Sequence, residues 1–338
     1  MHPAFRNPCP GLYIGGPPLY FYPMENKPAI SAEPNRVSPF LLAAAVAVTV
    51  LTWGSAFPGI RAALEVYSPW HLALLRYLTA SAVIAVIAVV RGMRMPRAAD
   101  LPRLFVTGLF GIGLYNITLN YGAQSVSAAS ACFLVNTLPI QTTLLSMLVL
   151  GERIDRLGWL GMLVGFVGVT LIAFGEGGSL SLEPHALVIL FSAFCSAVYL
   201  VVQKPLLSRY TSLEAVSWAI WTGTAIMLPF AVGLPDSVAA APLRHTLTVM
   251  YLGVVPAALA YFCWSWILGK TSASYASSIL YFTPLAALVI AWLWLGETPG
   301  VLSIAGGTLA LSGVVVVNRL AKHRRARGRA PAGTGVSG

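Results

Sequence analysis

Long apolar runs, each about the length needed to cross a bilayer, dominate the chain from residue 39 to residue 318. A transmembrane helix needs about 20 mostly apolar residues to cross about 30 Å of hydrocarbon. Ten segments meet this requirement: 39–60, 70–91, 103–122, 127–149, 157–175, 185–205, 213–233, 246–268, 273–295 and 300–318. Backbone polar groups in lipid must bond within their own segment, and the runs lack the alternation of barrel strands. The pattern therefore predicts an all-α polytopic membrane protein with ten transmembrane helices.

The composition excludes the soluble classes. Apolar residues make up 57% of the 338 residues and charged residues 9%, whereas soluble domains carry about 25% charged residues. Disordered chains are poor in apolar residues, so a wholly disordered chain is excluded as well.

The basic residues predict the orientation. With the N-terminus in the cytoplasm, 18 of the 21 Lys and Arg residues fall on the cytoplasmic side, and Arg244 falls in an outer loop. Cytoplasmic loops are enriched in Lys and Arg, so both termini are expected inside, with 320–338 as a basic cytoplasmic tail. Because topology explains the net charge of +10, no nucleic-acid partner is expected.

Residues 1–37 differ from the rest of the chain. They are rich in Pro and Gly and contain no apolar run. They lack the basic start and apolar core of a signal peptide, which predicts a disordered N-terminal leader. Met24 is an alternative start, and the choice between Met1 and Met24 stays open.

The chain contains an internal repeat. Residues 104–170 align without a gap with 249–315, and 14 of the 67 pairs are identical, including Pro139 with Pro284. The repeat predicts two five-helix domains, 38–178 and 183–319. An odd number of spans per repeat inverts the second copy, and inverted repeats are typical of transporters with a substrate site near the midplane.

Several of these residues also resemble a known family. Trp53-Gly54-Ser55-Ala56-Phe57, Arg76 and the repeated Leu-Gly-Glu at 150–152 and 295–297 resemble EamA-type members of the drug/metabolite transporter superfamily. The resemblance implies two inverted five-helix repeats around a central cavity. It also implies export or exchange of small metabolites, often amino acids, across a bacterial inner membrane.

Polar residues inside the predicted spans are the first candidates for substrate binding, because such residues usually face the protein interior or a water-filled path. Asn116 and Asn120 stand on one face of a helix, and Asn136 lies in the next span. Their counterparts at the offset of 145 are Tyr261, Ser265 and Tyr281. The positions are polar in both halves but differ in chemistry, as an asymmetric substrate on a pseudo-twofold axis requires. Hydrogen bonding between helices is the alternative.

Aromatic residues and one arginine complete the predicted site. Trp53, Tyr199 and Trp264 could form aromatic walls, with a place at the membrane interface as the alternative. Arg76 lies about six residues inside a span, where it either extends to the interface or binds a substrate carboxylate.

Two further patterns concern helix geometry. Pro139 and Pro284 each remove a backbone hydrogen bond within a span and are predicted hinges, or else passive bends. The spaced glycines of spans five and ten predict close helix packing, either within the chain or at the face of a homodimer.

The search for enzyme chemistry finds no catalytic motif, metal-ligand pattern or cofactor motif, so no catalytic residue, metal or cofactor is expected. We therefore expect a secondary transporter that exports or exchanges small metabolites, with amino acids or derivatives favoured. A membrane-embedded enzyme acting on lipid-linked substrates and a non-transporting scaffold are the alternatives. The expected partners are a small-molecule substrate and the lipid bilayer.

Overall fold

The computed structural model describes residues 38–125, 128–175, 184–295, 300–302 and 304–313. The predicted leader and the predicted basic tail lie outside these ranges. Within them every regular element is helical, and they contain no strand.

The described part of the first half, up to Gly175, contains six helices. They are α1 (Pro39–Leu64), α2 (Pro69–Arg91), α3 (Ala98–Gly122), α4 (Ala128–Val135), α5 (Leu138–Val149) and α6 (Arg156–Gly175). The described part of the second half contains α7 (Pro184–Leu206), α8 (Ser212–Met227), α9 (Leu234–Ala240), α10 (Leu243–Lys270), α11 (Ala273–Ser278), α12 (Phe282–Leu295) and α13 (Ile304–Gly313). A helix occupies each of the ten predicted segments, and α4–α5 and α11–α12 share one segment each.

The exterior of the bundle is apolar, as a bilayer requires. Within the described ranges, six helices are long and apolar enough to cross a membrane by themselves, and α8 continues into α9 through a bend of 82°. Phe40, Leu148 and Val89 are each more than 80% exposed, whereas Asn116 and Gln203 are fully buried. A surface of apolar side chains around a partly polar interior identifies an all-helical membrane protein.

Short polar residues set the ends of several helices. The Ser68 hydroxyl accepts a hydrogen bond from the His71 amide at the start of α2, and Gly92, with φ of +61°, ends that helix. Thr211 and Glu214 form a reciprocal capping box at the start of α8. These signals place the helix ends within a few residues of the apolar runs.

The two halves depart from regular α-helix at matching positions. Helix α3 contains a π turn at Leu109–Leu114, and α10 contains one at Gly253–Leu259, which is the same place at the offset of 145. The chain also breaks between α4 and α5 at residues 136–137, and between α11 and α12 in the 3-10 turn Ile279–Tyr281. Single π turns inside α-helices are frequent at functional sites.

The predicted hinge prolines stand just after these breaks. Pro139 is the second residue of α5, and Pro284 is the third residue of α12. We expected each to remove a bond within a continuous helix. The N–H groups in the first turn of a helix have no intrahelical acceptor. A proline in that turn therefore removes no hydrogen bond of the new helix.

Helices α6 and α13 touch through their backbones in a reciprocal pattern. A Cβ atom on Gly168 would lie 2.6 Å from the Gly306 carbonyl oxygen, and one on Gly306 would lie 2.6 Å from the Gly168 carbonyl oxygen. Gly313 meets the Gly161 carbonyl oxygen in the same way, at 2.5 Å. These glycines pack within the chain, and a homodimer stays a prediction.

Candidate functional site

A cavity of about 70 Å³ lies where α1, α2, α3 and α5 meet α7, α10 and α12. One water needs roughly 10–15 Å³ of such space, so the cavity has room for about five waters. Its lining includes six of the nine residues predicted to bind substrate: Trp53, Arg76, Asn136, Tyr199, Tyr261 and Trp264. None of the described lining residues is Asp or Glu.

Arg76 supplies the cation of the cavity wall. It is 4% exposed, and its Nε donates to the Leu252 carbonyl at 3.1 Å. Its Nη1 donates to Asn116 Oδ1 at 3.2 Å. Among the described residues no carboxylate forms an ion pair with it. A buried cation with neutral partners keeps its full charge uncompensated, which favours an anionic ligand.

Asn116 positions this guanidinium. It is fully buried, and its Nδ2 donates to the Tyr77 hydroxyl and to the Ile112 carbonyl, both at 2.9 Å. These two bonds orient the amide so that Oδ1 points at Arg76. Asn116 therefore lies behind the cavity wall, and its oxygen and nitrogen are both occupied by the protein.

The π turn of α10 attaches two predicted site residues. Pro256 has no N–H, so the Leu252 carbonyl cannot accept a hydrogen bond from the residue four positions later, and Arg76 Nε donates to this carbonyl. The Pro256 carbonyl in turn accepts a hydrogen bond from Trp53 Nε1 at 3.0 Å. The irregular turn thus supplies the carbonyls that fix the arginine and an aromatic wall.

The aromatic wall is continuous. The centroid of the Trp53 ring lies 5.4 Å from the ring centroids of Tyr261 and Trp264. The rings of Trp53 and Tyr261 are nearly perpendicular. Tyr199 lies 6.0 Å from Tyr261. Aromatic rings at these separations pack favourably and leave flat apolar faces. The lining therefore offers a ligand both a cation and aromatic rings.

Tyr199 also covers the π turn of α3. A Cβ on Gly111 would lie 2.9 Å from the Tyr199 Cβ, so a side chain at Gly111 would displace the tyrosine. Gly111 and Pro256 correspond at the offset of 145. The π turn of each half therefore contacts an aromatic residue of the other half. Tyr199 packs on the turn of α3, and Trp53 donates a hydrogen bond to the turn of α10.

Some residues of the cavity lining carry a buried polar atom that has no hydrogen-bond partner among the described residues, and Asn136 and Thr283 are two of them. Asn136 Nδ2 donates to the Cys132 carbonyl at 2.7 Å, but Asn136 Oδ1 has no hydrogen bond among the described residues. The Thr283 hydroxyl, which also lines the cavity, is buried without a partner there. Buried polar atoms usually find partners, so both are available to a ligand or to water.

Two other predicted site residues lie elsewhere. Asn120 Nδ2 donates to the Pro69 carbonyl at 3.3 Å, which ties α3 to the start of α2. The Tyr281 ring packs on α6, where a Cβ on Gly165 would lie 2.7 Å from it. With Asn116, these are the three predicted residues outside the cavity lining.

One carboxylate, that of Glu152, connects the two halves of the chain. Glu152 Oε1 accepts from the Ala273 amide at 2.9 Å. Its Oε2 accepts from the Ser274 amide at 3.2 Å and from the Ser274 hydroxyl at 2.7 Å. A carboxylate on amides at a helix start is a strong, charge-assisted contact. We call these contacts of Glu152 with the start of α11 the Glu152 latch.

Neighbouring contacts extend the latch. Ser146 and Ser274 share a hydrogen bond of 2.9 Å, and Lys204 Nζ donates to the carbonyls of Leu268 and Thr271. The sequence marked Glu152 only as part of the repeated Leu-Gly-Glu, which did not predict its contact with the other half. The sequence feature that pointed to this contact was Gly151. Its φ of +64°, which glycine adopts readily, turns the chain after α5.

A helical bundle with an apolar exterior and a partly polar central cavity is the architecture of a membrane transporter. The chain belongs to the EamA-like transporter family, which matches residues 40–174 and 184–319.

Relatives agree with this assignment. The uncharacterized transporter YdfC of Bacillus subtilis is 42% identical over 262 residues, covering 78% of this chain and 86% of YdfC. A probable terminal-alkyne amino-acid exporter of Streptantibioticus cattleyicolor is 37% identical over 287 residues, covering 85% of this chain and 96% of the exporter. A solved crystal structure with 19% identity shares the fold, with a TM-score of 0.68 over 85% of this chain and 99% of that one.

Proposed function

We propose that this protein is a secondary transporter that exports small amphipathic carboxylates, with amino acids or their derivatives favoured. The observation that carries the proposal is Arg76, a buried cation in the cavity wall with neutral partners only. The carboxylate of the substrate pairs with Arg76, and its side chain packs on Trp53 and Tyr261. Asn136 Oδ1 and the Thr283 hydroxyl accept hydrogen bonds from its amino group.

The relative from Streptantibioticus cattleyicolor supports this substrate class, since it is named an amino-acid exporter. The cavity chemistry supports it independently. A guanidinium can bind a carboxylate in a fixed geometry, and aromatic rings accept an apolar side chain without charge.

The ten helical segments form two inverted repeats of five in this proposal. The matching π turns and the reciprocal contacts of Gly168 with Gly306 support it, because such reciprocity is typical of a twofold relationship. The solute path lies between the halves, where the cavity is. The alternation of access moves α5 and α12 about the breaks that precede Pro139 and Pro284.

In this proposal the protein lies in the inner membrane of a bacterial cell with both termini in the cytoplasm, and the distribution of basic residues supports that orientation. On that orientation the Glu152 latch lies at the cytoplasmic end of the cavity. The described conformation is then closed toward the cytoplasm, and substrate loading requires the latch to open. Export follows when loading from inside alternates with release outside.

The test is counterflow into proteoliposomes preloaded with one unlabelled compound. Matched pairs of amino acids and the corresponding amines, which lack only the carboxylate, are compared. We expect uptake of labelled amino acids with apolar side chains to exceed uptake of their amines by about tenfold or more, the effect of one charge-assisted hydrogen bond. Equal uptake of acids and amines, or no protein-dependent flux for any pair, contradicts the proposal.

A further inference from the structure

A second, larger depression lies on the outer surface of the bundle. This groove, of about 820 Å³, runs between α2 and α10 and ends at the start of α8. On the proposed orientation that end lies at the cytoplasmic surface of the membrane. The groove is separate from the central cavity, and no lining residue is shared between them.

The rim of the groove is cationic. Arg91 and Arg94, at the end of α2, are both exposed and form no ion pair among the described residues. The carboxylate of Glu214, the acidic residue of the rim, already accepts hydrogen bonds from groups of the protein. Its carboxylate accepts from the Thr211 amide at 2.8 Å, the Thr211 hydroxyl at 2.9 Å and the Arg94 amide at 3.4 Å.

Arg209, also on the rim, is paired. Its Nη1 contacts Asp100 Oδ1 at 2.9 Å, and the Tyr210 hydroxyl donates to the other oxygen of Asp100 at 2.9 Å. Asp100 is 1% exposed and so is fully committed to this contact. The rim therefore presents two arginines without an ion-pair partner among the described residues, Arg91 and Arg94, beside the carboxylate of Glu214, whose charge interacts with Arg94.

The groove below the rim is apolar. Ile87 of α2 and Phe262 of α10 both line it and are 39% and 38% exposed. Val83, which also lines the groove, precedes Arg91 by eight residues, so the apolar wall extends about 12 Å along the helix axis. A cationic rim above a long apolar wall matches a molecule with an anionic head and hydrocarbon chains.

We propose that this groove binds one anionic phospholipid of the inner leaflet. The phosphate lies between Arg91 and Arg94, and an acyl chain packs along Ile87 and Phe262. A basic pocket at the cytoplasmic ends of membrane helices has the chemistry that anionic head groups require. The site rests on the proposed orientation but not on the proposed substrate.

The lipid would also contact the π turn of α10. Val254 and Leu259 of that turn are 38% and 46% exposed and line the groove. The neighbouring Leu252 carbonyl accepts from Arg76, and the Pro256 carbonyl of the turn accepts from Trp53. A bound lipid thus supports the turn whose backbone holds the cavity wall.

Native mass spectrometry of the purified full chain tests this site. Dioleoyl phosphatidylglycerol and dioleoyl phosphatidylcholine are titrated against the wild type and against the double variant Arg91→Gln/Arg94→Gln. The matched control is Arg97→Gln/Arg103→Gln, which removes two exposed arginines from the same side of the protein but outside the groove.

We expect the first phosphatidylglycerol to bind the groove variant roughly 30-fold more weakly, and the control within about threefold of the wild type. Phosphatidylcholine should bind all three proteins alike. Equal loss in both double variants, or no loss in the groove variant, overturns the site. If the double variant fails to fold, Arg91→Gln alone should weaken binding roughly fivefold, and unchanged binding contradicts the proposal.

Soluble phosphate distinguishes a lipid from a free anion. Inorganic phosphate and glycerol phosphate at millimolar concentration should leave the thermal unfolding midpoint unchanged, whereas phosphatidylglycerol should raise it. If the soluble anions raise the midpoint as much, the groove is an anion site and the lipid assignment is wrong. None of these measurements depends on transport.

Discussion

The Nε atom of Arg76 donates to the carbonyl of Leu252 at 3.1 Å, in a turn where Pro256 cannot supply the ordinary helical donor. This contact joins α2 of the first half to α10 of the second at the wall of the cavity. The position of the cation therefore depends on an irregular turn in the opposite half of the protein.

Replacing Pro256 tests that dependence. Pro256→Ala restores an N–H and allows a regular helix, which competes with Arg76 for the Leu252 carbonyl. We expect the unfolding midpoint to stay equal or to rise, since a proline inside a helix costs about 3 kcal/mol. Transport should fall severalfold, measured as counterflow. The control is Pro58→Ala, at an exposed proline inside α1, and a similar loss there would contradict the explanation.

If the Glu152 latch holds the two halves together, removing its carboxylate should change both the stability of the fold and the rate of transport. Glu152→Ala removes three hydrogen bonds to the start of α11. We expect a loss of about 2–3 kcal/mol in unfolding free energy, the contribution of charge-assisted hydrogen bonds, and slower counterflow. Thermal unfolding in detergent and counterflow measure the two effects.

Glu65→Ala serves as the control for the latch, because the contact of Glu65 with the buried His245, at 3.6 Å, is made by a carboxylate whose side chain is 67% exposed. Such contacts contribute little. A Glu152 variant that behaves like this control would show that the latch does not hold the halves together.

The backbone contact of α6 with α13 predicts that a side chain added to a contact glycine of either helix will destabilise the fold. Gly168→Ala and Gly306→Ala each place a methyl group about 2.6 Å from the partner carbonyl oxygen. Each should destabilise the fold by about 1–3 kcal/mol, as overpacking does. Gly269→Ala, whose new methyl would lie 3.8 Å from Leu207, should be neutral in the same thermal assay. Equal midpoints for all three variants would refute the close packing.

Asn136 and Asn120 separate a binding role from a structural one. Asn136→Leu removes the free acceptor at the cavity, and the KM of counterflow should rise by about tenfold, the value of one hydrogen bond to a charged group. Asn120→Leu lies outside the cavity lining and should lower the unfolding midpoint while leaving KM unchanged. The opposite pattern would move the binding site toward Asn120.

The positions of the described helices other than α9 could be predicted from the sequence. Apolar runs of the right length define where a chain crosses lipid, and the π turns and helix breaks fall at matching places of the repeat. The proline pair marked the breaks between α4 and α5 and between α11 and α12, although it could not show that the helix stops there.

The rotation of each helix about its axis was not accessible from the sequence. Asn116, Asn136 and Tyr281 all looked like cavity residues, because a polar group within a span usually faces the protein interior or a water-filled path. The structure directs Asn136 to the cavity, Asn116 to Arg76 and Tyr281 to Gly165. All three side chains are buried, each against a different neighbour. Only the tertiary packing therefore decides which of them lines the cavity.

The central claim is that Arg76 binds the carboxylate of the transported solute. The most direct test compares Arg76→Gln with Arg61→Gln, an exposed arginine outside the cavity lining, in the counterflow of matched amino acids and amines. We predict that Arg76→Gln lowers amino-acid uptake about tenfold or more and abolishes the preference over the amine, while Arg61→Gln matches the wild type. An Arg76→Gln protein that is folded and keeps both the rate and the preference for the carboxylate would contradict the account.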